Sequence, residues 1–299
     1  MYVLSFGVQG GETAALQRLR ETISSRPDWV REFSKPNTSP TAVASPSTTV
    51  LSPYLKFGCV SACQVYEEVR IASAKGDKKL TETSPPVSLK GQLLWREFFY
   101  YSAYFSRGPF DQMEGNPHCK QIPWERDSEK ITAWKEGRTG YPLIDAIMTQ
   151  LREEGWIHHL ARHAVACFLT RGTLWQHWEE GAKVFDLYLL DADYALNSAN
   201  WQWLSCSRFF YQYFRVYSPV AFGKKTDKEG DFIRRYVPQL KDMPAKYIYS
   251  PWLAPLHIQK SVGCVVGVDY PERIVDHDIA RVENIRKMKD AYQSSGGAI

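Results

Sequence analysis

EGRTGYPLIDAIMTQLREEGWIHHLARHAVACFLTRG, residues 136–172, is the stretch whose reading decides the fold class. Its apolar positions recur at helical spacing rather than in alternation: Leu143, Ile147 and Leu151 fall on one face. Pro142 suits a first helical turn, where its missing N–H loses no bond, and Gly155 is placed to end the helix in the left-handed conformation. The pattern predicts a second helix over Ile157 to Leu169.

The same period extends in both directions. Upstream, Glu12 to Ser24 carries Leu16, Leu19 and Ile23 on one face, Ser61 is a cap for a helix to about Ala74 with Gly76 beyond it, and Ser88 opens LKGQLLWREFFYYSAYF. Downstream, Thr173 and Gln176 have capping-box spacing ahead of LWQHWEEGAKVFDLYLL, and Ser198 to Tyr213 reads as a buried helix. A last amphipathic helix is predicted from about Asp276 to Tyr292, with Ile279, Val282, Ile285 and Met288 inward. Alternation is confined to CVVGV at 264–268, so the expected fold is all-α, without a sheet. Gaps between helices are long only at 35–60, 107–128 and 214–252, and loops of that length in a compact domain are usually functional.

Composition narrows the class. The chain has 299 residues, 44% hydrophobic and 23% charged, with a net charge of +4, which excludes disorder for the bulk of it. It has no apolar run approaching the ~18 residues of a membrane span, and its first residues lack the basic flank and cleavage site of a secretory signal. Cys59, Cys63, Cys119, Cys167, Cys206 and Cys264 are scattered without a CxxC pair, so reduced thiols in the cytoplasm or nucleus are expected. Aromatic residues reach 14%, ten of them Trp, which suits the gripping of a flat ligand.

Neither of the common phosphate-binding glycine loops occurs, so a nucleotide cofactor needs another cradle. SPSTTVLSPYLKFG, residues 45–58, offers Thr48, Thr49 and Ser52 in a turn before a helix; it reads either as a lining for phosphates or as an ordinary capped turn. Gln92 and Arg96 share a face of an apolar helix with Trp95 beside them, and a buried Arg96 needs an anionic partner, for which Asp191 and Asp193 are candidates. His159 and His163 lie four apart with Arg162 close by. An HxxxH pair invites zinc, but Leu160 stands where a metalloprotease has its Glu and no third ligand follows in spacing, so no metal is expected; the pair reads either as proton donors or as two satisfied structural histidines. In LLDADYALNSANWQW, Asp191, Asp193 and Asn197 suggest recognition of a hydrogen-bonding heterocycle or sugar, while an Asp cap on a helix explains Asp193 equally well.

Together TTVLSPYLKFG, GQLLWREFFY, MEGNP, IPW, the 136–172 stretch, LLDADYALN and YFRVYSPVAFGKKTD resemble the helical FAD-binding domain of the photolyase and cryptochrome family, in the animal-type branch that contains the (6-4) photolyases. The resemblance runs from GGET at residue 10 to the last helix. It implies an all-α FAD-binding domain over 36–292, with residues 1–35 as a lead-in from an α/β antenna domain that is missing here, and 293–299 as a short tail. FAD is the implied cofactor. Thr48, Thr49, Leu51 and Ser52 would meet its phosphates, Gln92, Arg96, His159, Arg162, Asp191 and Asp193 would line the rest of the pocket, and Asn197 would face flavin N5.

The resemblance also implies an electron path through Trp201, nearest the flavin, then Trp178, then Trp124 at the surface, with Trp175 as a fourth member. His159 and His163 would be the catalytic histidines on the lesion side. Lys35, Gln92, Trp95, Leu196, Arg215, Tyr217, Lys224 and Lys225 would receive a flipped dinucleotide and its phosphates. The implied function is blue-light-driven repair of (6-4) photoproducts in DNA. The alternative is a cryptochrome photoreceptor or circadian transcription regulator acting through protein partners.

Overall fold

In the computed structural model, which describes residues 9–42 and 46–295, caps carried by the local sequence set several helix starts. The described residues form α1 (Glu12–Leu19), α2 (Pro27–Glu32), α3 (Ser52–Lys56), α4 (Ala62–Lys75), α5 (Leu89–Tyr104), α6 (Ser128–Glu136), α7 (Pro142–Glu154), α8 (His159–Cys167), α9 (Trp178–Tyr188) and α10 (Tyr194–Leu204). Then come α11 (Ala221–Thr226), α12 (Asp231–Tyr236), α13 (Ala245–Ile248), α14 (Leu256–Ser261) and α15 (His277–Ser295). As expected, the Gln64 and Gly91 N–H groups donate to Ser61 Oγ (3.1 Å) and Ser88 Oγ (3.2 Å) at the heads of α4 and α5. Pro142 opens α7, and Gly155 ends it at φ 66°. Among the described residues there is no strand: the 264–268 segment contributes only an isolated bridge between Val266 and Tyr270. No helix among them is long and apolar enough to cross a membrane, and all six cysteines are free.

The chain divides into two compact units, Met1–Ser106 with Leu190–Leu196, and Arg107–Leu189 with Asn197–Ile299. In the first, α4 packs on α2. Leu19, Ile23, Val30, Phe33, Val65, Val69 and Leu89 build its core. Beyond α1 the helix widens into a π-turn over Arg20–Ser24, which carries Ile23 inward with Leu19.

In the second unit α7 packs against α6, α8 and α12. The single apolar face expected for α7 is too modest a description: ten of its thirteen residues are buried, Asp145, Gln150 and Glu154 among them. Each of these polar groups has partners. Asp145 accepts from the Thr139 and Gly140 N–H groups and from the Thr139 and Tyr270 hydroxyls; Glu154 accepts from Tyr236 (2.6 Å), Gln150 (2.9 Å) and Arg235 (3.3 Å). Hydrogen bonding of this kind is what allows polar groups inside a central helix. The long gap at 214–252 is filled by the short helices α11, α12 and α13.

Three helix expectations are corrected. Thr173 and Gln176 do not cap α9: His177 does, its Nδ1 accepting from the Glu179 N–H (3.3 Å). Thr173 Oγ1 instead pairs with His277 Nδ1 (2.8 Å), and Gln176 Oε1 accepts from the Asp127 N–H (2.6 Å) while residue 176 bridges to Glu125. The expected Ser198–Tyr213 helix runs from Tyr194 to Leu204, ahead of Cys206 at φ 60°. On α15, Ile279 and Val282 are 72% and 63% exposed; the buried line is His277, Asn284, Met288 and Ala291. That face is selected by its polar anchors, because His277 bonds Thr173 Oγ1 and Asn284 Nδ2 donates to the Thr173 carbonyl (3.1 Å).

Candidate functional site

In the first unit, the turn leading into α3 holds Thr48, Thr49, Leu51 and Ser52; Ser45, at the start of the segment read from sequence, lies outside the described residues. Val50 sits in the left-handed region at φ 54°, costly for a β-branched residue, and Leu51 follows at φ −88°, ψ −7°. A left-handed residue followed by a right-handed one turns successive N–H groups toward one point, the backbone arrangement that cradles anions. Arg18 Nε braces the turn by donating to the Thr49 carbonyl (2.8 Å).

On α5, the Gln92 amide donates to the Pro86 carbonyl (2.8 Å), and Trp95, half-buried, meets Phe98 edge-on (5.5 Å between ring centroids). The ion pair of Arg96 is with neighbouring Glu97, and its guanidinium lies over the Tyr100 ring (4.5 Å). Tyr100, unremarked in the sequence, then donates its hydroxyl to Asp193 Oδ2; burial, aided by this hydrogen bond, pushes the phenol up to about 12. Asp193 Oδ1 accepts from the Leu196 N–H (3.0 Å), so this carboxylate caps α10 as well as meeting Tyr100. Asp191 is buried beside it in sequence, and Leu196 is half-buried. Lys35, half-buried, has its ammonium lowered to about 8 by desolvation.

In the second unit, α8 places His159, Arg162 and His163 on one half-exposed face, the remainder of the helix being largely buried. His158 caps it, Nδ1 accepting from the Leu160 N–H (3.1 Å), and Arg162 Nε is anchored on the Ile157 carbonyl (3.0 Å). The rings of His159 and His163 meet edge-on at 6.2 Å, and His163 Nδ1 is 3.3 Å from the Tyr217 hydroxyl. The structure thus gathers His159, His163 and Tyr217. Arg215, Lys224 and Lys225 are exposed, the two lysines on α11.

The tryptophans collect around α9. Trp201, on α10, meets Phe185 edge-on (5.0 Å) and packs on the backbone at Gly181, where any Cβ would collide with its ring. Trp178 opens α9, and residues 124–126 pair with 175–177: the Glu125 N–H donates to the Trp175 carbonyl and the His177 N–H to the Glu125 carbonyl. This brings the Trp124 and Trp175 rings to 4.5 Å. The surface position expected for Trp124 is corrected, since it is only 9% exposed, although the other three are more deeply covered. The buried indole N–H groups of Trp124, Trp178 and Trp201 have no hydrogen-bond partner among the described residues, whereas Trp175 donates to the Pro123 carbonyl (3.0 Å). Beside Trp201 on α10, Asn197 donates both amide hydrogens to α9, to the Ala182 carbonyl (3.0 Å) and to Asp186 (2.7 Å).

Residues 88–290 match the family model described as the FAD binding domain of DNA photolyase. This chain belongs to that family. It is 56% identical over 287 residues to a (6-4) DNA photolyase of Oryza sativa subsp. japonica, covering 96% of this chain and 51% of that protein. It is also 56% identical over 285 residues to Cryptochrome-1 of Sylvia borin, covering 95% and 45%. Among solved structures, a bacterial class III photolyase from Agrobacterium tumefaciens superposes with a TM-score of 0.80 at 32% identity, over 97% of this chain and 58% of that one. The chain therefore spans about half the length of the curated relatives it matches.

As a photolyase-family FAD-binding domain, the chain carries groups that fit its cofactor. The Val50–Leu51 turn has the backbone form that can cradle an anion, and the Asn197 amide, its hydrogens spent on α9, keeps Oδ1 as an acceptor that a heterocycle N–H can use. The sequence left Val50, Tyr100, Gly181 and Asp186 unremarked. Of these only Gly181 carried a local signal, a glycine inside a helical pattern.

Proposed function

We propose that the chain carries out blue-light-driven repair of (6-4) photoproducts in DNA. The observation that carries this reading is the group of His159, His163 and Tyr217 on the open side of α8, in the same unit as Arg215, Lys224 and Lys225. A flipped lesion needs a proton donor at its base and cations at its flanking phosphates; these residues supply both. When bound, reduced FAD supplies an electron on absorbing blue light.

The chain's own residues do the rest. An imidazole is a side chain suited to giving up a proton near neutral pH, and Tyr217 orients the His163 ring through Nδ1. The lesion's hydroxyl has to return to the neighbouring base, so proton delivery must outrun return of the electron. Thr48, Thr49, Leu51 and Ser52 would hold the phosphates of FAD, and Gln92, Arg96, His159, Arg162, Asp191 and Asp193 would hold the rest of it. Asn197 would present its amide oxygen to flavin N5. Trp201, Trp178, Trp124 and Trp175 would pass electrons inward from an external reductant, and Lys35, Gln92, Trp95 and Leu196 would belong to the DNA side.

The test is conversion of a (6-4) photoproduct in a short oligonucleotide under blue light, with FAD bound and a dark control. Flavin-loaded protein that binds the oligonucleotide but converts none of it sinks the repair reading and leaves the photoreceptor reading that the name Cryptochrome-1 of its relatives suggests.

A further inference from the structure

We infer that Asp186 is a positioning residue, which locks the Asn197 amide so that this domain favours reduced over oxidised flavin. The inference rests on the reading that Asn197 faces flavin N5.

An asparagine amide presents either a donor or an acceptor to a ligand, depending on which way it is turned. For Asn197 the choice is made from behind. Both groups that meet its nitrogen, the Ala182 carbonyl and the Asp186 carboxylate, can only accept, so they take the two N–H bonds and leave the amide oxygen for the ligand. A flipped amide would set its oxygen against two acceptors. Asn197 is buried, so that loss would be uncompensated by solvent. Of the two, the carboxylate makes the shorter bond, 2.7 Å against 3.0 Å, and the ionised acceptor is the stronger.

The consequence follows from flavin chemistry. N5 carries a hydrogen when the flavin is reduced and a lone pair when it is oxidised. An amide oxygen facing N5 accepts from the first and repels the second. Asp186 is itself on the exposed side of α9, where solvent and salt screen its charge. Its influence therefore runs through the orientation of Asn197. The two routes have opposite signs: losing the carboxylate charge would favour the anionic reduced flavin, while losing the lock would disfavour it.

The test uses the 299-residue chain, titrated by tryptophan fluorescence with FAD in air and with dithionite-reduced FAD under anaerobic conditions. The readout is the ratio of the two dissociation constants. Asp186→Ala, at an exposed helical position where alanine folds well, is expected to lower the preference for reduced FAD about tenfold, the scale of one hydrogen bond reversed. Asp186→Asn keeps an acceptor for the Asn197 nitrogen and should stay within about twofold of wild type. An unchanged or increased preference in Asp186→Ala, with wild-type protein binding both forms, overturns the positioning role alone. Wild-type protein that binds neither form overturns the cofactor reading and this inference with it.

Discussion

The ring of Trp201 occupies the volume that a side chain at position 181 would need: a Cβ added to Gly181 falls within 2.6 Å of ring carbon Cζ2. Four residues earlier on the same helix, Asn197 is tied to Ala182 and Asp186. α9 therefore positions both residues, Trp201 through an absent side chain and Asn197 through two acceptors.

Gly181→Ala should destabilise the fold by about 1–3 kcal/mol, the usual cost of overpacking a core that cannot yield. Urea denaturation gives the stability. Because Trp201 has to move, its fluorescence should shift as well; a variant of wild-type stability and spectrum would contradict the packing described.

Asp193→Ala removes the cap of α10 and the partner of Tyr100, and should cost about 0.5–2 kcal/mol of stability together with FAD retention. Asp193→Asn, a comparably good cap, separates the two effects: its melting point should stay near wild type while its flavin content after gel filtration falls. Equal flavin content in all three proteins would confine Asp193 to the cap.

Trp201→Phe should abolish light-driven flavin reduction by an external reductant. Phe packs in the same place and is far harder to oxidise. Loss of the oxidised flavin absorbance under blue light is the measurement, and bleaching at the wild-type rate would remove Trp201 from the path.

Lys35 supplies a pH dependence. With its ammonium lowered to about 8 by burial, it is charged at pH 7 and neutral at pH 9, so a phosphate contact made through it weakens as pH rises through 8. Oligonucleotide affinity should fall over that window in wild type and less in Lys35→Met. The stability sign is the reverse. Between 8 and the ordinary 10.5 the unfolded chain binds the extra proton, so the cost of burying this charge, fully present below 8, is relieved as pH rises.

His163→Ala should leave lesion binding within a few fold, because phosphate contacts carry most of the affinity, while repair per absorbed photon collapses. Tyr217→Phe, which keeps the ring and removes the hydroxyl 3.3 Å from Nδ1, should lower repair by a smaller factor. Binding and repair lost in parallel would make His163 a wall of the pocket and no more.

What the amino-acid sequence determined by itself is the part of the molecule in which cause and effect lie within a turn or two. Ser61, Ser88, Pro142 and Gly155 start or stop helices through their own side chains or conformational freedom, and Leu143, Ile147 and Leu151 share a face because the helix has 3.6 residues per turn. The roles expected of His159, His163, Asn197 and the tryptophans came instead from the resemblance of the motifs that hold them to those of a known family. Only the tertiary structure decided which of several possible partners each polar group takes. Thr173, spaced to cap α9, is drawn to His277 more than a hundred positions away; of the α15 residues that read as one apolar face, Met288 is buried but Ile279 and Val282 lie in solvent, because His277 and Asn284 anchor the helix from another side; and the Asn197 amide is turned by α9, not by its own neighbours in sequence. The physical reason is that buried hydrogen-bonding groups compete for partners across the whole folded molecule, a condition that no local pattern contains.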